Sequence, residues 1–334
     1  MVTIKDVARH AGVSASTASR ALHDNPMISA ATKARVRQAM KDLNYSPNFS
    51  AQNLVKRQSN TVAIVLPVRE SPQLLGNNPF FMQIIQGITS ICSQEGFMVS
   101  LATGQSEQAL LDSVRVLMQS GHVDKFIFLY ARKGDAVYQA VRENPAVTCI
   151  VVGHNSTQSH QNTYFVDTDN VRAGYDATRF LMKKHYKTPV YICTDLGEVV
   201  QESRYEGYTA AMAVIEEQPH SVELTNTDSD KVRLEGLLKA SPQTDAFVCC
   251  DDMTAIYVLR LLKEQVRNQS FGIISFNNSL LAELESPSLT SVDIFPYELG
   301  EAAAKLMLAV SAGQKVEKEC IIAHQIIERQ STQP

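Results

Sequence analysis

The 334-residue chain has no apolar run near the roughly 18 residues a membrane-crossing helix needs, and Met1-Val2-Thr3-Ile4-Lys5-Asp6 lacks the basic-then-apolar order of a secretory signal. A cytoplasmic protein with no membrane partner is expected. None of the six cysteines stands in a CxxC pair, and most lie in apolar runs such as "TCIVVG" and "AFVCCD", where buried reduced thiols are expected. The eight histidines form neither HExxH nor a cluster, so no metal site is expected. GxGxxG and GxxxxGK[ST] are missing, which indicates neither a dinucleotide nor a nucleoside triphosphate, and no cofactor is expected. GxSxG is missing too, and His154 in "VVGHNS" reads as a polar loop residue. Asp251-Asp252 are adjacent on one strand end, point apart, and do not face each other across a glycosidic bond. No enzyme is expected.

What is present is an uneven charge. The net charge of −4 divides into +6 over residues 1–60 and −10 over residues 61–334. A basic head on an acidic body points to a polyanion partner for the head alone. At 334 residues the chain is also too long for one ordinary core, and several domains are expected.

In "IKDVARHAG", Ile4, Val7, Ala8 and Ala11 follow i, i+3, i+4, i+7, with Thr3 as N-cap and Gly12 as stop. A second helix starts at Ser14 and buries Ala18, Ala21 and Leu22 beside Val13. A third, capped by Ser29, carries the stripe Val36, Ala39, Met40, Leu43. Two short helices joined by a glycine turn, closed by a third, form a helix-turn-helix unit. The outward residues of the second helix, Ala15, Ser16, Thr17 and Arg20, are short or hydrogen-bonding, as entry into a major groove about 12 Å wide requires. Arg20 can fork onto guanine O6 and N7, or hold a phosphate. Ser14, Thr17, Ser29, Thr32 and the free N–H groups of Thr3 and Ile4 suit phosphates, which position a helix without reading sequence. After Pro47, "NFSAQNLV" is too short to be a helix in water without a partner. Its Leu54 is either a minor-groove wedge or an interdomain linker residue tucked against the body.

From Thr61 the chain alternates short apolar runs with helical segments: "TVAIVLPV", "FMVSLAT", "KFIFLY", "TCIVVG", "PVYICT", "AFVCCD" and "FGIISF". Such alternation predicts α/β architecture with parallel sheets, and seven strands over some 220 residues suit two halves better than one sheet. Ligands of such folds sit at strand carboxyl ends. There the sequence offers Asn78, Phe80, Phe81, Tyr130, Asp167, Asp169, Asn170, Arg204, Asp251, Asp252, Asn277 and Asn278. Rings for C–H faces, with Asp, Asn and Arg for hydroxyls, fit a carbohydrate.

The stretch "TIKDVARHAGVSASTASRAL…ISAATKARVRQAMKDLNYSPNFSAQNL" resembles the DNA-binding head of the lactose-repressor (LacI/GalR) family over about 50 residues. "NPFF", "VDTDNVRAGYDAT" and "IIAHQIIER" in the body are most similar to the maltose-operon repressors of Gram-positive bacteria. The resemblance implies a helix-turn-helix head (1–46), a hinge helix and linker (47–60), and an effector-binding and dimerisation body (61–334) with the fold of periplasmic sugar-binding proteins. Within the body it implies one subdomain of about 61–162 and 292–321 and a second of about 163–291 and 322–334. Ala15, Ser16 and Arg20 would read bases of double-stranded operator DNA, Leu54 would be the hinge wedge, and Tyr45, Asn48 and Ala51 would be hinge-side contacts. Arg204, in "RxxGY", would bind the effector beside Asp169. Asn277 stands where most members have aspartate, Cys250 where they have asparagine, and Ala18 where they have valine. The resemblance implies a homodimeric repressor, not a tetramer, released from its operator by maltose or a maltodextrin. The alternatives are a corepressor-dependent or global carbon-catabolite regulator of the same family, or a sugar-binding protein without DNA function.

Overall fold

A computed structural model describes residues 2–22, 24–45, 59–68, 79–153, 161–265 and 270–333. The chain divides into two units, Met1–Gln58 and Ser59–Pro334.

Among the described residues, three helices build the head: α1 (Ile4–His10), α2 (Ala15–Leu22) and α3 (Ala30–Asp42). At the start of α1 the Thr3 N–H and hydroxyl donate to Asp6 Oδ2 at 3.0 and 2.7 Å, so side chain and helix end fix one another. Gly12 ends the first turn region at φ +65°, a left-handed conformation that costs a glycine nothing. Ser14 Oγ accepts the Thr17 N–H at 3.1 Å and Ser29 Oγ that of Thr32 at 3.3 Å, capping α2 and α3. Val7, Ala8, Ala11, Ala18, Ala21, Val36 and Ala39 form the core, with Ile4, Val13, Ile28, Met40, Leu43 and Tyr45 packed around it. Alanines at the contacts let short helices approach closely. Val7 and Val36 are wholly buried, and burial of such side chains contributes about 1.5–3 kcal/mol each.

The body contains two six-stranded sheets. The first lobe holds β1 (Thr61–Val65), β2 (Met98–Ala102), β3 (Lys125–Phe128), β4 (Thr148–Val152), β5 (Thr163–Thr168) and β11 (Glu319–Ile322), in the order β11-β5-β4-β3-β1-β2. The second holds β6 (Pro189–Cys193), β7 (Ser221–Glu223), β8 (Ala246–Cys249), β9 (Gly272–Phe276), β10 (Thr290–Asp293) and β12 (Gln325–Ile327), in the order β12-β10-β9-β8-β6-β7. Neighbours run parallel except β12, which is antiparallel to β10. Five of these strands, β5, β7, β10, β11 and β12, lie outside the seven apolar runs read from the sequence.

Nine helices cover the sheets among the described residues: α4 (Pro79–Gln94), α5 (Glu107–Gln119), α6 (Ala136–Arg142), α7 (Asn170–Lys183), α8 (Val199–Ala213), α9 (Ser229–Ala240), α10 (Asp252–Gln265), α11 (Leu280–Leu284) and α12 (Pro296–Ser311). Strand parity sorts the side chains. Val62, Ile64 and Leu66 face the core shared with α4 and α12, while Ala63 and Val65 face that of α5 and α6. Both faces are covered, which is why these strands read as apolar runs without polar alternation. None of the described helices is long and apolar enough to cross a membrane.

The chain passes between lobes three times: after Thr168, after Asp293 and after Ile322. The subdomain limits expected at residues 162 and 291 therefore shift. Residues 163–166 pair with Cys149–Val152 of the first sheet, and 290–292 pair with Ile274–Phe276 of the second.

Candidate DNA-binding face and effector cleft

In the head, Ala15, Ser16 and Arg20 are all exposed on α2, whose opposite face is closed by Ala18 and Ala21. Arg20 makes no ion pair among the described residues. By contrast, Arg9 is held by Asp6 at 3.3 Å, and Arg37 and Lys33 by Asp24 at 2.6 and 3.7 Å. Ser14 Oγ lies 2.9 Å from the Ser16 hydroxyl and 2.8 Å from that of Thr17, so one hydroxyl cluster marks the N-terminus of α2. The Ser29 and Thr32 hydroxyls are 3.0 Å apart at the start of α3. Ser14 and Ser29 thus serve as caps and are exposed with Ser16 and Thr3, while Thr17, Thr32 and Ile4 are partly buried. Tyr45 is half-buried against the head core. Asn48, Ala51 and Leu54 lie outside the described residues.

In the body, the carboxyl ends of the strands of both lobes face a cleft that opens to solvent and holds a cavity of about 180 Å³. Of the residues expected to bind an effector, Phe80, Tyr130, Arg204, Asp251 and Asn277 line it together. Asn78 lies outside the described residues, as does His154. Asp169 does not line the cleft: it is exposed and its Oδ1 accepts the Arg172 N–H at 2.8 Å, capping α7. A carboxylate immediately before a helix is drawn to the free N–H groups of the first turn, and that capping turns Asp169 away. Asp167, two residues earlier and at the end of β5, lines the cleft instead.

Arg204 is the centre of the floor and only 3% exposed. Its Nε donates to Asn170 Oδ1 at 2.9 Å, its Nη1 to the Cys250 carbonyl at 2.6 Å, and its guanidinium lies 4.3 Å from the centre of the Phe276 ring. Asn170 in turn donates to Asp167 Oδ1 at 2.9 Å. Burial pulls the Arg204 pKa below its ordinary value, and the negative groups around it, among them Asp167 and Asp251, oppose that loss. Nη2 enters none of these bonds.

The walls supply complementary chemistry. Phe80 and Phe81 meet edge to face with centroids 5.1 Å apart. Burial, with the Asp135 charge nearby, pushes the Tyr130 phenol far up, so it stays a protonated donor. Asn277 follows β9 at φ +97°, an unusual conformation for a residue with a side chain, and its N–H donates to the Val292 carbonyl at 2.9 Å. Asp251 Oδ1 accepts the Thr254 N–H at 2.7 Å. Gln201, which the sequence reading missed, is buried and donates to Thr194 Oγ1 and Glu198 Oε2 at 2.8 and 2.6 Å. It sits one helical turn before Arg204 on the same cleft-facing side of α8, and that i, i+3 spacing could have found it.

Residues 3–48 match the family described as "Bacterial regulatory proteins, lacI family", and residues 178–332 match "Periplasmic binding protein-like domain". The HTH-type transcriptional regulator MalR of Streptococcus pneumoniae serotype 4 is 32% identical, with 98% of this chain and 99% of that protein covered. The chain belongs to the LacI family. It is accordingly a DNA-binding transcriptional regulator and not an enzyme. Among solved structures, a complex of the transcriptional regulator CelR with cellobiose is similar with TM-score 0.74 and 26% identity, over 99% of this chain and 100% of that one. A lac repressor dimer bound to operator and an anti-inducer shares the fold, with TM-score 0.82, 21% identity, and 100% and 99% coverage.

Within this LacI-family body, Cys250 contributes its carbonyl to Arg204 and its thiol to Thr254 Oγ1 at 3.4 Å, and burial pushes that thiol well up, so it stays protonated. Asn278 faces away from the cleft, bonded to Asp293 and Arg329 at 2.8 and 2.7 Å. Asp252 is buried and accepts hydrogen bonds from the Ser291 hydroxyl and the Ser279 N–H, each at 2.7 Å. Both tie strand ends together and hold the loop that carries Asn277.

Proposed function

We propose that this regulator represses maltose or maltodextrin utilisation genes and is released from its operator when a maltosaccharide occupies the cleft. The observation that carries the reading is the floor of the cleft. A buried arginine, fixed on two nitrogens, lies beside Asp167, Asp251, Asn277 and Gln201 and under the rings of Phe80, Phe81 and Tyr130. Fixed donors and acceptors around aromatic faces fit a polyhydroxylated ring, whose hydroxyls take paired hydrogen bonds and whose C–H faces pack on rings. Whole-length similarity to a regulator named MalR supports the maltosaccharide over other sugars.

On this reading Ala15, Ser16 and Arg20 read bases and Thr3, Ile4, Ser14, Thr17, Ser29 and Thr32 hold phosphates. Tyr45, Asn48, Ala51 and Leu54 supply the hinge contacts, and the regulator binds a near-palindromic operator as a homodimer. Release is linkage: a sugar with higher affinity for one arrangement of the lobes shifts the population toward it, and operator affinity falls by the same coupling factor.

The test is fluorescence anisotropy on a palindromic operator from upstream of the chain's own gene, titrated with maltose, maltotriose, glucose, cellobiose and a purine. Release by a maltosaccharide alone is expected, and Arg204→Ala should keep operator affinity while abolishing the response. Tight binding that no sugar alters would overturn the effector reading and favour dependence on a corepressor or partner protein.

A further inference from the structure

The lobes are joined at the cleft mouth as well as at the three crossovers. Beyond β3 of the first lobe, the Ala131 carbonyl accepts the N–H of Val199, the first residue of α8 in the second lobe, at 3.2 Å. The neighbouring residues Arg132 and Glu198 form an isolated antiparallel bridge. Two ion pairs flank it: Lys133 Nζ lies 2.8 and 2.7 Å from the two oxygens of Glu202, and Arg132 Nη2 lies 3.6 Å from Asp195 Oδ2. Val199 packs against the apolar core of the first lobe although it belongs to a helix of the second.

We propose that the first turn of α8 is a latch that holds the cleft closed, with the Lys133–Glu202 pair as its electrostatic fastening. The same helix carries Gln201 and Arg204, so opening the latch swings both away from Tyr130 and the rings of the first lobe. The helix is thus fastened to one lobe through Val199 and Glu202 while its Gln201 and Arg204 line the cleft. An effector therefore enters after the pairs part and is retained once they re-form. This use of the latch rests on the reading of the cleft as an effector site; the latch itself does not. Lys133 and Glu202 are exposed by 64% and 34%, so the pair is accessible to salt and shifts the closed population by about 5-fold at most.

The experiment is hydrogen exchange of the full chain without any sugar, read at the Val199 amide, whose acceptor lies across the cleft. Lys133→Glu and Glu202→Lys are each expected to speed that exchange about 2- to 5-fold, while the amide of Ile64 inside the first sheet keeps its rate. The doubly reversed Lys133→Glu/Glu202→Lys protein restores the original rate, because the pair is rebuilt with opposite polarity. Single reversals that leave Val199 unchanged, or a double reversal that fails to restore it, overturn the latch. Maltose dissociation from the same four proteins should follow the same order. If no sugar binds while Val199 responds as stated, the effector reading fails and the latch stands.

Discussion

Arg20 and Arg204 are the same residue type in opposite circumstances. Arg20 is exposed on α2 without an ion partner among the described residues, while Arg204 is buried and fixed by Asn170 and the Cys250 carbonyl. As the proposed base reader, Arg20 would act through its planar fork, which a lysine cannot reproduce. Arg20→Lys keeps the charge and is expected to weaken binding to the cognate operator by about 1–3 kcal/mol per head, the worth of one bidentate base contact, and so by about 2–6 kcal/mol for the two-headed complex, with nonspecific DNA affinity nearly unchanged. Competition anisotropy on both DNAs measures the split; equal losses would make Arg20 a phosphate contact. Both arginines were readable in the sequence, Arg20 because a short helix with small outward residues leaves it prominent, Arg204 through its motif. The choice between Asp167 and Asp169 was not readable. It depends on α7 beginning at Asn170, which makes Asp169 the cap and leaves Asp167 at the strand end.

At the level of elements, α7 and α8 cross through glycines. A Cβ on Gly174 would come within 2.1 Å of the Arg204 carbonyl oxygen, and one on Gly207 within 1.9 Å of that of Val171. Neither backbone can yield without moving the helix that carries Arg204. Gly207→Ala is therefore expected to cost about 1–3 kcal/mol of body stability, in the range of overpacking, and to weaken sugar affinity more than operator affinity. Urea unfolding of the body, compared with effector titration, checks both parts; an unchanged midpoint would mean the crossing is looser than its geometry. Local signals made the head's elements legible: Thr3, Ser14 and Ser29 as caps and Gly12 as a stop act within four residues of themselves. The sheet membership of β5, β10 and β11 depends on partners remote in sequence. "TYFVDT" has a strand's composition whichever lobe it joins, so the step between lobes could not be placed from it.

For the whole molecule, the division of charge decides how binding responds to salt. The acidic body, at −10, repels a polyanion, so attraction is confined to the head. Within the described head, Arg9, Lys33 and Arg37 are engaged by Asp6 or Asp24, whereas Lys5, Arg20, Arg35 and Lys41 form no ion pair with described residues. Those four cations per head can replace the counterions of phosphates, and the serine and threonine hydroxyls cannot. On the proposed dimer, two heads meet a near-palindromic operator, and log K against log salt should fall with a slope of about −7, near 0.9 for each cation engaged. The measurement is operator anisotropy from low to moderate salt. A slope of about half that value would mean that one head engages at a time, contradicting the dimer. A slope steeper by several units would bring Lys56 and Arg57 of the linker onto the DNA as well.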